Sequence, residues 1–273
     1  MAPHIRLILT DIDGTILPYG CPAVPARTRA AFHAAMDAGM LVGPASGRAF
    51  AWVRPFFPGD EACCATAIAT NGMQVFLGGR EVLHRTLGAP ELERVADVLA
   101  DVGGAGLLVF VADEPCLVAG PRDDLAVAFP RYAQSCRVVE GVPAGGVDKA
   151  NVFVAGDLAR TREVRDLVAR EVPELAVDVP QPMFLNLMPA GWDKGAALAW
   201  LCEREGIAPE EVVVFGDGGN DVSLFARAGH PVAVEGAMPE AAAAARWHVG
   251  RCEDEAVAAA IEVLAAGGWP FER

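Results

Sequence analysis

Four short polar clusters, each closing an apolar run or opening a helix, constrain what this chain can fold into more than any other feature. The first run, residues 5–9, has the length of a buried strand and ends in Thr10-Asp11-Ile12-Asp13-Gly14-Thr15. The second, 40–45, ends in Ser46-Gly47-Arg48, and a later one, 211–215, ends in Gly216-Asp217 with Asn220 and Asp221 just beyond. Lys194 stands at the start of a helical segment, 193–205, that Gly206 is placed to close. If the strands are parallel neighbours, all four clusters meet at the carboxyl edge of one sheet, where open α/β sheets hold their ligands.

The rest of the pattern agrees with such a sheet. Pro25 opens a helix that Gly39 ends. A third strand is expected at 65–70, followed by Asn71-Gly72 and a hairpin of strands 73–77 and 81–85 turning at Gly78-Gly79. Texture changes between 87 and 189: a helix at 90–102, strand-like runs at 107–111, 116–119, 151–154 and 184–187, and an amphipathic helix at 160–171. Helices at 221–227 and 239–246 and a strand at 231–234 then resume the alternation. The expected class is α/β: a Rossmann-like parallel sheet built from 1–86 and 190–273, interrupted by an inserted α/β domain, 87–189.

Composition excludes several partners. A net charge of -14 over 273 residues and a pI near 4.7 argue against nucleic acid and anionic membrane surfaces. No apolar run approaches the roughly 18 residues needed to span a bilayer. Seven cysteines without CxxC spacing read as small buried hydrophobes, and no secretory leader is recognisable, so a reduced cytoplasmic location is expected. The five histidines show no metal-ligand spacing. Oligomeric state is open.

Taken chemically, the clusters offer four carboxylates that repel one another unless a proton or a cation intervenes. Such oxygen donors suit Mg²⁺, held by Asp11 and Asp217 beside a phosphoryl group. Lys194 adds positive charge, and the Ser46 hydroxyl and backbone N–H groups near Ile12 and Gly47 can donate to phosphate oxygens. Asp11, at the strand end, is placed to attack phosphorus; Asp13, further into the loop, is placed to protonate the leaving oxygen and later to deprotonate water. Other readings stand beside these. Ser46 can instead cap a helix, Arg48 can pair with a surface acid, and Asn71 can serve only its turn. Trp192 can stack on a substrate or serve in the core or at a domain hinge, and Arg122 and Arg131 are candidates for a polar substrate end.

The motifs together resemble the haloacid dehalogenase superfamily of phosphatases. Asp11-Ile12-Asp13-Gly14-Thr15 matches its first motif, Ser46-Gly47-Arg48 its second, Lys194-Gly195 its third and Gly216-Asp217-Gly218-Gly219-Asn220-Asp221 its fourth, in order. The insert, with Asn71-Gly72 and Gly191-Trp192-Asp193-Lys194-Gly195, is similar to the Cof-like branch with an α/β cap. Val234-Glu235-Gly236-Ala237 departs from that branch, which often has Gly-Asn-Ala there.

The resemblance implies Mg²⁺ bound by Asp11, the Asp13 carbonyl and Asp217. Asp221 would orient Lys194 or a metal-bound water and join the metal set, while Ser46, Gly47, Arg48, Asn71 and Asn220 would surround the phosphate. It also implies hydrolysis of a small phosphorylated metabolite, such as a sugar phosphate, through an aspartyl-phosphate. A phosphomutase would use the same acids and return the phosphoryl group to the substrate, and a regulatory module would keep the pocket without turnover. Dehalogenation needs neither the metal site nor Asp13.

Overall fold

The computed structural model describes residues 3–271. The chain divides into two compact units: one runs through His84 and resumes at Asp193, and the other is Arg85–Trp192.

The first unit is built on a fully parallel five-stranded sheet. Across it the strands lie in the order Trp247–Val249, His230–Val234, Val212–Gly216, Leu7–Thr10 and Leu41–Pro44. Leu7–Thr10 is an interior strand and completely buried, as expected of a strand covered on both faces. Alternation along it sends Ile8 to one face, into a cluster with Phe32 and Ala35 of helix Ala26–Asp37 and Val257, Ile261 and Leu264 of helix Ala256–Ala265. Residues 256–265 carry four leucine, isoleucine or valine side chains among alanines, so this helix is held by packing against helix Ala26–Asp37 and the sheet.

The chain leaves Leu7–Thr10 toward Leu41–Pro44 on one side and later fills Val212–Gly216, His230–Val234 and Trp247–Val249 on the other. The boundary between Leu7–Thr10 and Val212–Gly216 is therefore the switch point of the sheet, the place where loops diverge and leave a crevice.

The expected third strand is Ala67–Ala69, shorter than the 65–70 expected, and its pairing with the parallel sheet is an isolated bridge, Ala45 to Ile68. Its regular pairing is antiparallel, with Gln74–Leu77, which in turn pairs with Arg80–His84. The tight turn at Thr70, Asn71 and Gly72, all at positive φ, reverses the chain before the strand can lengthen.

The second unit carries a six-stranded sheet in the order Leu175–Gln181, Phe184–Pro189, Lys149–Val154, Ala105–Val111, Glu114–Ala119 and Arg137–Val138. Its pairings are antiparallel apart from the last. Helices Ala89–Ala100 and Leu158–Glu171 pack on it, the latter capped by the Asp157 carboxylate accepting from the Arg160 N–H at 2.9 Å. Arg122, read from sequence as a contact for substrate, is instead engaged within this unit: its guanidinium donates to the Ala133 and Cys136 carbonyls. Arg131 is exposed. Arg85 and Trp192, the two ends of the unit, stack with the guanidinium carbon 4.2 Å from the ring centroid.

Among the described residues no helix is long and apolar enough to cross a membrane. Six of the seven cysteines are buried, and Cys21 is exposed.

Candidate active site

Asp11 and Asp217 directly follow the two strands that flank the switch point, so parallel register alone brings them together. Asp11 donates its backbone N–H to the Phe215 carbonyl, extending the pairing one residue past the strand. Gly14 then turns the chain at φ 76°, and a Cβ there would lie 2.7 Å from Asp217 Oδ2. Only glycine satisfies both the conformation and the close approach. Gly14→Ala is expected to cost at least about 1 kcal/mol of stability and to displace the Asp217 carboxylate, read as a fall in both melting temperature and divalent-cation affinity.

Lys194 is the first residue of helix Lys194–Glu205, capped by Asp193 accepting from the Ala196 N–H at 2.8 Å. Its side chain is fully buried, and Nζ donates to Asp11 Oδ1 at 2.9 Å and to Asp221 Oδ1 at 2.7 Å. Asp221 in turn accepts the Asp217 and Gly218 N–H groups on Oδ2, both at 3.0 Å. Its two oxygens are thus shared between the lysine and the loop that follows the strand. Gly216 makes this turn possible, because a Cβ there would fall 2.5 Å from the Asp221 carboxyl carbon. Thr15 Oγ donates to Asp217 Oδ1 at 2.9 Å and fixes the other acid.

The electrostatics follow from burial and crowding. Burial pushes the Asp11 carboxyl well above its ordinary range; Lys194 opposes this, while Asp221, Asp217 and Asp13 add to it. Asp217 is pushed up to about 6, by burial first and then by Asp221, against the Thr15 hydrogen bond and Lys194. Burial alone would lower the Lys194 pKa, but Asp11 and Asp221 outweigh it and hold the amine charged. One cation is too little for three clustered acids. Asp11, Asp217 and Asp221 each present an oxygen with all three within 4.8 Å of one another, a hard-oxygen donor set that fits a divalent cation.

A second group of polar residues adjoins this centre. Ser46 is buried, and its Oγ accepts the Arg48 N–H at 3.2 Å. The helix that follows begins at Phe50 with Ala49 as its cap, so Ser46 caps no helix and its hydroxyl hydrogen is available to another acceptor. The Ser46 carbonyl accepts the Asn71 N–H at 3.0 Å, and the Asn71 amide packs against Gly47, where a Cβ would lie 3.1 Å from its oxygen. Asn220 Nδ2 donates to Asn71 Oδ1 at 3.1 Å, tying the 219–221 turn to the 70–72 turn. Asn71 at φ 52° occupies the left-handed region that asparagine tolerates better than most residues.

Asp13 and Arg48 form a bidentate pair, Nε and Nη2 each 2.7 Å from a carboxylate oxygen, with the guanidinium 4.9 Å from the Phe56 ring centroid. Arg48 therefore meets an acid, as one reading expected, but that acid belongs to the first motif.

Ten of the residues singled out from the sequence lie in the first unit, Asp11, Asp13, Ser46, Gly47, Arg48, Asn71, Lys194, Asp217, Asn220 and Asp221, whereas Arg122, Arg131 and Trp192 lie in the second. Sequence reasoning gave Thr15 no role, although its hydroxyl two residues after Asp13 was the available signal. It also passed over Tyr19, whose Oη lies 3.1 Å from the position a Gly14 Cβ would take. No sequence pattern marked that residue. Where the Gly-Asn-Ala run is absent, the Met238 N–H donates to the Asp217 carbonyl at 2.8 Å, so the backbone there still supports the acid.

Comparison with known proteins agrees with this arrangement. Residues 8–261 match the model of the haloacid dehalogenase-like hydrolases. The chain is 25% identical over 274 residues to the 5-amino-6-(5-phospho-D-ribitylamino)uracil phosphatase of Escherichia coli strain K12, covering 98% of this chain and 99% of that one. It is also 25% identical to the phosphatase of the same name from Bacillus subtilis strain 168, over 96% of this chain and 99% of that one. Among solved structures, SMU.1108c of Streptococcus mutans UA159 superimposes with a TM-score of 0.85 at 18% identity, over 96% and 99% of the two chains. A HAD subclass IIB sugar phosphatase superimposes at 0.76 and 20% identity, over 94% and 98%. With its motifs gathered at the switch point of a parallel sheet and the family match running almost end to end, this chain belongs to the haloacid dehalogenase-like hydrolases.

Proposed function

We propose that this protein is a Mg²⁺-dependent phosphomonoesterase acting on a small polyhydroxylated phosphate ester through an aspartyl-phosphate. The observation that carries the reading is the buried Lys194 ammonium held between Asp11 and Asp221 at the switch point. A structural ion pair has no need of two further carboxylates beside it, whereas a phosphoryl-transfer site needs a carboxylate nucleophile screened by cations. The names of the relatives, phosphatases of a ribitylamino phosphate and, over a shorter stretch, of mannosylfructose-phosphate, support a sugar or polyol phosphate as substrate.

In this reading Asp11, the Asp13 carbonyl and Asp217 would hold Mg²⁺, while Asp221, expected to join the metal set, has both oxygens engaged by Lys194 and by the Asp217 and Gly218 N–H groups and instead anchors Lys194. When bound, Mg²⁺ supplies positive charge against the phosphate oxygens. Lys194 keeps the reacting oxygen of Asp11 in place and offsets its charge. Ser46 donates its hydroxyl hydrogen to the phosphate, and Asn71 and Asn220 fix the wall behind it. Asp11 attacks phosphorus as the ester P–O bond breaks, and Asp13 gives its proton to the departing oxygen. Asp13 then takes a proton from water as that water attacks phosphorus, the bond to Asp11 breaks and inorganic phosphate leaves. Arg48, paired with both Asp13 oxygens at 2.7 Å, has to release the carboxyl before Asp13 can carry the proton that it gives to the departing oxygen.

The test is release of inorganic phosphate from a panel of sugar and polyol phosphates, with Mg²⁺ and with a chelator, together with product analysis. Mg²⁺-dependent release of phosphate and the free alcohol is expected. An isomerised phosphate ester in place of release, or binding without turnover across the panel, would overturn the reading.

The charge arrangement also fixes a pH response. A carboxyl whose folded pKa is raised stabilises the fold below its ordinary value and loses that contribution as pH rises through the raised one. For Asp217 the window runs from 3.8 to about 6, with Asp11 acting in the same direction. A shift of that size corresponds to roughly 3 kcal/mol. Cation-free protein is therefore expected to lose stability between about pH 4 and pH 6, and Mg²⁺ to restore more of it at pH 7.5 than at pH 5. Thermal melts across pH with and without Mg²⁺ check this; a Mg²⁺ effect equal at both pH values would contradict it.

A further inference from the structure

Outside this site, one other cluster among the described residues brings together side chains able to hold a metal ion. His33 projects from helix Ala26–Asp37, and Asp60 and Cys63 come from the turn leading to strand Ala67–Ala69. His33 Nε2 lies 3.0 Å from both Asp60 carboxylate oxygens and 3.9 Å from Cys63 Sγ. The three ligand atoms all fall within 4.8 Å of one another.

We propose that His33, Asp60 and Cys63 form a second metal site, selective for Zn²⁺ over Mg²⁺. The geometry is close to that of three corners of a tetrahedron: bonds of about 2.0–2.3 Å to nitrogen, oxygen and sulfur place ligand atoms roughly 3.3–3.7 Å apart, and the observed separations straddle that range. The donor types decide the ion. One imidazole, one carboxylate and one thiolate suit a borderline-soft cation, whereas Mg²⁺ takes oxygen almost exclusively. Charge agrees as well, since a carboxylate and a thiolate together neutralise a divalent ion. Cys63 is buried and Asp60 partly so, while the His33 side chain is 48% exposed, which leaves solvent access for entry and for water as a fourth ligand. Binding replaces the thiol proton, released to solvent, and with it the bond that Cys63 Sγ donates to the Arg29 carbonyl at 3.8 Å, together with the His33–Asp60 hydrogen bond.

The cluster shares no residue with the acidic centre. Asn71 follows the far end of strand Ala67–Ala69, whereas Asp60 and Cys63 precede its near end. An ion here would tie helix Ala26–Asp37 to the segment that leads to Asn71, and Phe32 and Phe57, which pack 6.2 Å apart between centroids, already join the same two pieces of chain. The site therefore reinforces an existing contact rather than bridging parts that move independently.

The experiment titrates the full-length protein, reduced and saturated with Mg²⁺, with Co²⁺ as the spectroscopic probe, and then displaces it with Zn²⁺ against a chromophoric chelator. One equivalent should give the near-ultraviolet charge-transfer absorption of a thiolate–cobalt bond. Zn²⁺ should abolish it while raising the melting temperature. Cys63→Ser should remove the band, and Cys64→Ser should leave it. His33→Ala, at an exposed position that folding tolerates, should weaken Zn²⁺ binding by more than the roughly 10–100-fold that loss of an outer-shell partner costs. Absence of the band, its persistence in Cys63→Ser, or unchanged Zn²⁺ affinity in His33→Ala overturns the proposal. Phosphatase activity with Mg²⁺ alone is measured separately, so its loss would not count against this site.

Discussion

Asp11→Asn is expected to lower kcat by on the order of 10⁴-fold or more while leaving the fold intact. The amide keeps the shape of the carboxyl but cannot attack phosphorus, so no covalent intermediate forms. Stability should not fall with it. The Asp11 carboxyl is buried beside Asp217, Asp221 and Asp13, and its neutral form is favoured by that surrounding, so removing the charge relieves repulsion. Lys194 keeps its 2.7 Å bond to Asp221 and its reason to stay charged. Single-turnover assays with an activated aryl phosphate and thermal melts read the two halves of this expectation. An Asp11→Asn variant that still turns over at the native rate would remove the aspartyl-phosphate from the mechanism.

Lys194→Met should fail in the opposite way, losing activity and stability together. The ammonium is the buried cation between two acids, and Asp221 is itself completely buried. Removing one partner of such a pair leaves an uncompensated charge and typically costs about 3–5 kcal/mol. For a protein of this size that is a fall of roughly 10 °C in melting temperature. Two further outcomes separate this cause from a packing defect. The loss should shrink as pH falls toward 5, because the orphaned acids then take up protons, and Asp11→Asn combined with Lys194→Met should be less damaging than the two effects added. Melts of the single and double variants at two pH values check both.

These expectations rest on residues that were legible in the sequence for a physical reason. Asp11, Ser46 and Asp217 each follow an apolar run that needs no distant information to be recognised as a strand, and parallel pairing then brings their ends together. Lys194 was equally visible as a cation at a helix start between an N-cap acid and a closing glycine. What the sequence concealed depends on pairings across the chain. The Thr15 hydroxyl meets Asp217 more than two hundred positions away, and nothing local to Thr15 marks that partner.

Local patterns also misled where they were weak. Strand Leu175–Gln181 went unread because Asp178 and Pro180 break its alternation, although Asp178 Oδ1 accepts from Asn186 Nδ2 at 2.7 Å and so belongs to the sheet. Strand Trp247–Val249 has three residues, too few for a period to emerge, and helices Arg122–Ala128 and Pro130–Ser135 are two short turns separated by Phe129. The 221–227 helix is really a 3₁₀ turn at Gly219–Asp221 followed by Val222–Phe225, because Asp221 spends its carboxylate on the preceding backbone. The His33 cluster was invisible for a related reason. Its ligands are spread over two elements, so no short spacing announces them.

The order of strands in the parallel sheet has a consequence for how the protein is made. Leu7–Thr10 leaves the ribosome about two hundred positions before its partner on one side, Val212–Gly216. At 5–20 residues per second that is roughly 10–40 s during which a largely apolar strand has one unsatisfied edge. Leu41–Pro44 follows about thirty positions later and covers the other edge, while the 85–192 segment, a compact unit, is free to fold in the interval. Nascent chains arrested before residue 212 should therefore be the ones that chaperones hold, and neither the Lys194–Asp221 bond nor the acidic centre can exist until residue 221 has been made.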